Sequence, residues 1–212
     1  MSGLMYSSFV CAVRESNKSL ARLRSYRSTA ARTHEPTIWE AARATSAATS
    51  FFDPITIGKG SAGSRYVDGA LGFNNPLDEV WLEAQDIWTP NDGRLEQHIQ
   101  CVVSIGTGRP GTSAVGDKRW TIAITRKDIA TQTEMTERSF AMRHRQLFEP
   151  EQRYYRFNVD QGLENVGLGE HDRVSDMVDA TAKYLDDHER VRREFRKCAA
   201  ILREERSLSS KA

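Results

Sequence analysis

The chain has no run of about 18 or more apolar residues, so nothing in its 212 residues reads as a transmembrane helix, and membrane contact is expected only at the periphery. Charge of one sign is missing too. Thirty basic side chains face 29 acidic ones, and a net charge of +1 gives no field that would gather nucleic acid, so none is expected as a partner. Cysteine is scarce and odd in number. Cys11, Cys101 and Cys198 are widely spaced, with no C-x-x-C, which argues against a disulfide framework or a zinc site and for reduced thiols in a cytoplasmic core. The five histidines, His34, His98, His144, His171 and His188, show neither H-x-H nor H-E-x-x-H spacing. No metal and no cofactor is therefore expected, and nothing recommends a histidine-based triad. The opening MSGLMYSSFVCAV lacks a basic n-region and a small-residue cleavage site before it meets Arg14 and Glu15. A signal peptide is not expected, and the expected location is the cytoplasm or the membrane periphery.

What is present is an alternation of short apolar runs and helical stripes, the pattern of one α/β domain with a helical tail. Phe9 to Val13 (FVCAV) and Cys101 to Ile105 (CVVSI) are continuous apolar runs of strand length, as expected of strands covered on both faces in a largely parallel sheet. Thr37 to Ala48 is an alanine-rich helical stretch, and Pro54 prevents further helix. Ile55 to Val67, with Gly58, Gly60 and Gly63 inside it, reads as two short strands joined by a glycine turn that delivers Tyr66 and Val67 to Asp68. The next helix is the best specified. Asn75 suits its N-cap, Pro76 its first position, and Asp78 and Glu79 complement its dipole. Leu77, Val80, Trp81, Ala84, Ile87 and Trp88 form one stripe, which places both tryptophans in the core. Gly106 to Asp117 reads as a loop, Trp120 to Phe148 as helix and Tyr154 to Val159 as a strand. From Asp172 to Arg206 no glycine or proline interrupts a stripe through Val174, Met177, Val178, Leu185, Val191, Phe195, Cys198 and Leu202. One long helix or two shorter ones, packed on the domain, would fit.

Two stretches invite a chemical reading. GTGRPG, from Gly106 to Gly111, matches the dinucleotide fingerprint G-x-G-x-x-G letter for letter. Pro110 removes one amide, no helix opens at Gly111, and Thr112 stands where a P-loop needs lysine, so a strand-ending turn is expected instead. RYVDGALGFNNP, from Arg65 to Pro76, sets a single carboxylate, Asp68, in a glycine-punctuated turn between strand and helix. Such a turn is where an α/β enzyme exposes a working base. It is equally where an aspartate forms a D-G turn or caps the following helix.

Taken in order, TIWEAARATSAATSFFDPITIG, RYVDGALGFNNPLDEVWLEAQDIW, CVVSIGTG and YYRFNV resemble the patatin-like phospholipases, especially the fungal type, over nearly all of residues 9 to 200. Asp68, Gly69 and Ala70 match the family's Asp-Gly-Ala/Gly motif, with ATSAA before it and SIGTG after it. The resemblance implies a lipid acyl hydrolase with a partial patatin-like α/β fold, a mostly parallel sheet flanked by helices, and a serine-aspartate dyad in which Asp68 is the general base. Its substrate would be a lipid or phospholipid acyl ester. Phe51 and Phe52 are candidates for contact with the acyl chain, although plain core packing is the stronger expectation for both. A serine hydroxyl is a poor nucleophile until a base about 2.6–3.2 Å away accepts its proton. An ordinary aspartate, with a pKa near ~3.9, is a weak base and needs partial desolvation, which Tyr66 and Val67 could supply. Gly69 is expected to let the chain turn sharply and bring serine and substrate close.

The family's nucleophile lies in a G-x-S-x-G elbow and its oxyanion hole in a glycine-rich loop, both N-terminal to the aspartate. Neither pattern occurs here; Ser61 in KGSAG and Ser113 in GTSAV fail the glycine spacing. The expectation is an unmatched segment 1–8, the C-terminal portion of a patatin-like domain over 9–165 without its N-terminal strands, and a helical segment 166–212. That fragment would be inactive alone, with an edge of FVCAV exposed. Two functions compete. One is lipid acyl hydrolysis through Asp68; the other is a non-catalytic interaction or regulatory role, in which the open edge pairs with a partner such as another patatin-like chain.

Overall fold

A computed structural model of the chain describes residues 7–27, 36–48, 51–60, 63–91, 93–109, 120–164, 166 and 170–209. The chain divides into two units, 1–76 and 77–212. The first is built on β1 (Phe9–Arg14), where the consecutive residues Cys11, Ala12 and Val13 are all buried, so both faces of the strand are covered as its unbroken apolar run requires. Strand direction is another matter. β1 pairs antiparallel with β2 (Leu20–Arg24) on one side and with β4 (Ser64–Asp68) on the other, and β4 pairs antiparallel with β3 (Ile55–Ile57), in the order β2-β1-β4-β3. The expected parallel sheet is thus corrected for this unit, and for the pair β1 and β2 the cause is connection length. Only residues 15–19 separate β1 from β2, whereas a parallel partner needs a crossover of about a dozen residues or more. Lys18, at φ 56°, turns the chain back on itself.

The same pairing narrows the expectation of an open edge. β2 pairs FVCAV along its length, whereas β4 pairs β1 only from Ala12 to Arg14, so Phe9 to Cys11 have no strand partner on the β4 side among the described residues; the outer strands of this sheet are β2 and β3. Beneath the sheet lies α1 (Ile38–Thr45), which starts with a capping box. Glu40 Oε2 accepts from the Thr37 N–H at 2.8 Å while the Thr37 hydroxyl accepts from the Glu40 N–H at 3.4 Å. Ala44 and Ala41 of this helix pack with Ala12, Ala21, Leu23, Ile57 and Tyr66, and the small alanine side chains let helix and sheet approach closely.

In the second unit α3 (Leu77–Trp88) contributes Leu77, Trp81 and Ala84 to a core completed by Leu95, Phe140, Leu147 and Tyr154. Phe140 lies on α4 (Trp120–Arg143), meets Trp81 edge-on at 5.5 Å and stacks beside His144 at 4.4 Å. Trp88, expected in the core, is 58% exposed, because the cluster takes in α3 only as far as Ala84; Val80 and Ile87 are exposed as well. β5 (Val102–Ile105) and β6 (Tyr154–Phe157) pair parallel, the one place where the expected strand direction holds among the described residues. The helical tail is two helices, α5 (Val174–Asp187) and α6 (Glu189–Ser209). Its stripe is less buried than expected. Val191 and Cys198 are buried and Phe195 meets Phe157 edge-on at 6.0 Å, but Val174, Val178 and Leu202 face water. No helix among the described residues is long and apolar enough to cross a membrane.

Removing the fully buried ring in Phe140→Ala should cost about 3–5 kcal/mol, against about 1 kcal/mol for the lost cap in Thr37→Ala, when both are measured by urea unfolding.

Candidate functional site

Residues paired across antiparallel strands share a face. The register Ala12 with Asp68 and Arg14 with Tyr66 therefore sets Asp68 on the side of the sheet that carries Ala12 and Tyr66, which is the side α1 covers. Two hydrogen bonds fasten the end of that helix to the strand ends. The Thr45 hydroxyl donates to the Cys11 carbonyl at 2.7 Å, and the Asp68 N–H donates to the Ala47 carbonyl at 3.0 Å. Thr45 and Ala47 belong to the ATSAA stretch, and their part in holding the aspartate escaped the sequence reading. The signal available was a threonine in the last helical turn, whose hydroxyl is free to reach a neighbouring carbonyl.

The Asp68 side chain is half-buried. Its Oδ1 accepts from the Ala70 N–H at 2.8 Å, closing the turn that opens α2 (Ala70–Phe73). Among the described residues this is the one hydrogen bond on the carboxylate. Burial pushes the pKa above the ordinary 3.8, and the Ala70 amide pulls the other way with smaller effect. Tyr66 and Val67, the apolar approach expected from sequence, are both buried. The turn role and a raised carboxyl pKa thus coexist in one residue.

Gly69 serves a different purpose from the one expected. At φ −71° and ψ −7° its backbone is open to any amino acid, so no sharp turn demands glycine. What demands it is contact: a Cβ at this position would stand 2.6 Å from the Cys11 carbonyl oxygen. Phe51 and Phe52 are not in the core, being 47% and 57% exposed. Their amides both donate to the Ala48 carbonyl at 2.9 Å, which leaves the rings at the surface rather than under the sheet. Ser61 and Ser113 lie outside the described residues.

Three amides of GTGRPG have partners within the unit. Gly106 N–H donates to the Phe157 carbonyl at 2.8 Å, Gly108 N–H to Asn158 Oδ1 at 2.9 Å, and Arg109 N–H to the Val159 carbonyl at 2.9 Å. Amides spent on the continuation of β6 cannot cradle a pyrophosphate. Pro110 and Gly111 lie outside the described residues. No group of three or more His, Cys, Asp or Glu side chains able to hold a metal occurs among the described residues.

Comparison with known proteins falls on the same segment. The family model for patatin-like phospholipase matches residues 6–81, a stretch that contains β1, α1, β4 and Asp68. Over 177 residues, 82% of this chain, the sequence is 28% identical to calcium-independent phospholipase A2-gamma of Oryctolagus cuniculus and to the protein of the same name from Homo sapiens. Over 124 residues, 57% of this chain, it is 32% identical to phospholipase A I of Arabidopsis thaliana. The chain resembles the patatin-like phospholipases, as its motifs suggested. The matched stretch covers 20% and 21% of the two mammalian proteins and 8% of the plant protein, so the chain spans about a fifth or less of the curated relatives it matches.

Gly69→Ala should destabilise the first unit by about 1–3 kcal/mol, because the Cβ meets backbone rather than a movable side chain. A urea midpoint unchanged from wild type would show that the two strand ends are not held as closely as described.

Proposed function

We propose that the chain supplies the general base for hydrolysis of a lipid acyl ester, with Asp68 in that role. The observation that carries this is a half-buried carboxylate at the end of β4, with one oxygen fixed by the Ala70 N–H and a pKa raised by burial. The names of the relatives, all phospholipases, support a lipid acyl ester as substrate. In the first step Asp68 Oδ2 takes the proton of a serine hydroxyl as the serine oxygen bonds to the ester carbonyl carbon. When the resulting tetrahedral intermediate collapses, the C–O bond to the alcohol breaks and Asp68 returns the proton to the departing oxygen. A water molecule then repeats both steps on the acyl-serine and releases the fatty acid. Raising the carboxyl pKa by burial makes the carboxylate a better acceptor, while the Ala70 N–H, with smaller effect, favours its ionised form.

The serine of this dyad would sit in a G-x-S-x-G elbow, which these 212 residues do not contain. The 212 residues alone are accordingly proposed to be inactive, and to work with a segment that carries that elbow and its oxyanion donors. The rival role, a non-catalytic interaction through an exposed sheet edge, would use the outer strands β2 and β3 or the stretch Phe9 to Cys11 that β4 does not pair.

Fatty-acyl ester hydrolysis should appear when the chain is combined with a polypeptide carrying such an elbow, and should fall roughly 10²–10⁴-fold with Asp68→Asn. Activity that survives the substitution would remove Asp68 from the chemistry. The rate should fall as the pH drops through a midpoint above 3.8, since burial raises the carboxyl pKa from that value. Stability carries the opposite sign. A carboxyl whose pKa is raised by folding favours the fold below its unfolded value and loses that contribution as the pH rises through the folded value. Asp68→Asn should therefore raise the melting temperature at about pH 7 and bring little gain below about pH 3.8, as measured by thermal unfolding at both.

A further inference from the structure

Four large apolar side chains of the first unit stand in water: Ile38 is 91% exposed and Trp39 63%, besides Phe51 and Phe52. Scattered singly, such residues would need no explanation, but these are linked. Trp39 and Arg43 lie one turn apart on the same side of α1. The Arg43 guanidinium sits 5.2 Å from the centre of the Phe52 ring and donates to the Asp53 carbonyl at 2.6 Å, which ties helix and turn into one surface. Ala48, whose carbonyl takes the amides of both phenylalanines, directly follows Ala47, whose carbonyl takes the amide of Asp68. The aromatic surface is thus anchored beside the carboxylate.

Charge is divided unevenly along the chain. Residues 1–76 carry nine basic and five acidic side chains, a net +4, which against the whole chain's +1 leaves −3 for residues 77–212. The near-neutral composition conceals this. An exposed tryptophan and phenylalanine pair around an arginine, in a unit of net positive charge, has the chemistry of the boundary between lipid headgroups and acyl chains.

The geometry points to Ile38, Trp39, Phe51 and Phe52, with Arg43 among them, as a surface that docks on an anionic lipid bilayer. The rings enter the headgroup–acyl boundary, with Arg43 holding Phe52 and the turn against α1, and the net positive charge of the unit draws it to the anionic headgroups. This surface deepens the lipid-ester reading of Asp68, on which its purpose rests, because it would bring the base to the layer that holds the ester.

Flotation of the 212-residue chain with phosphatidylcholine vesicles, pure or mixed with equal phosphatidylglycerol, tests it without any assay of hydrolysis. Wild type should float with the mixed vesicles and weakly or not at all with the pure ones. The partition should fall roughly tenfold for each ring removed in Trp39→Ala and Phe52→Ser, and roughly fivefold in Arg43→Gln. Asp68→Asn should float like wild type, so that loss of the base and loss of the surface are read separately. Brominated acyl chains should quench Trp39 in the unaltered chain, a measurement that needs no variant to fold. Wild type that stays with the pellet, or variants that float as it does, would overturn the proposal. So would a dimer that Trp39→Ala and Phe52→Ser convert to monomer while vesicles leave the chain unbound, since a second copy would then be the occupant.

Discussion

The seating of Gly69 against the Cys11 carbonyl fixes the position of everything around Asp68. Because no side chain intervenes, the end of β4 lies directly on β1, in the register that pairs Ala12 with Asp68. Thr45 reaches the same Cys11 carbonyl and Ala47 takes the Asp68 amide, so the end of α1 is drawn to the same spot. Three segments distant in sequence converge within a few atoms. The burial of the carboxylate follows from that convergence, since α1 covers the face on which the register places it.

Opposed demands meet in this one side chain. A carboxylate deep in an apolar site would hold its proton and could not act as a base; one in open water would be too weak a base to take a serine proton. The intermediate burial of Asp68, with a single amide on Oδ1, lies between these limits. The residue that opens α2 thereby also moderates the upward shift that burial gives the carboxyl. A local turn and a chemical group share the same hydrogen bond, and their contributions are inseparable in the geometry.

The strands other than β2, the longer helices and the turn that holds Asp68 were legible in the sequence because burial and turn chemistry leave local marks. FVCAV reports that both faces of a strand are covered, and Cys11, Ala12 and Val13 are so covered. The same run carries no information on direction, which the five-residue turn to β2 decides. β2 itself was missed: its two inward residues, Ala21 and Leu23, give too short an alternation to distinguish strand from loop. The capping box of Thr37 and Glu40 was written in the sequence as T-x-x-E and passed over. Exposure of Phe51, Phe52 and Trp88 was not legible, because hydrophobicity predicts preference for a core and not whether core is available at that position. The role of Gly69 could not be read either, since a contact with Cys11 spans 58 positions of chain and leaves no trace in the motif.

His144 lies between Trp81 and Phe140 in the core of residues 77–212, with ring centres 4.1 Å and 4.4 Å away. Burial first, and Arg143 second, hold its pKa below the ordinary 6.5, against the weaker pull of Glu96 and Asp78. The unfolded chain therefore takes up a proton there in mildly acidic solution that the packed rings resist. Linkage makes this aromatic nest a point of acid sensitivity: its full contribution is present above 6.5 and drains away as acidity carries the folded imidazole through its own lower midpoint.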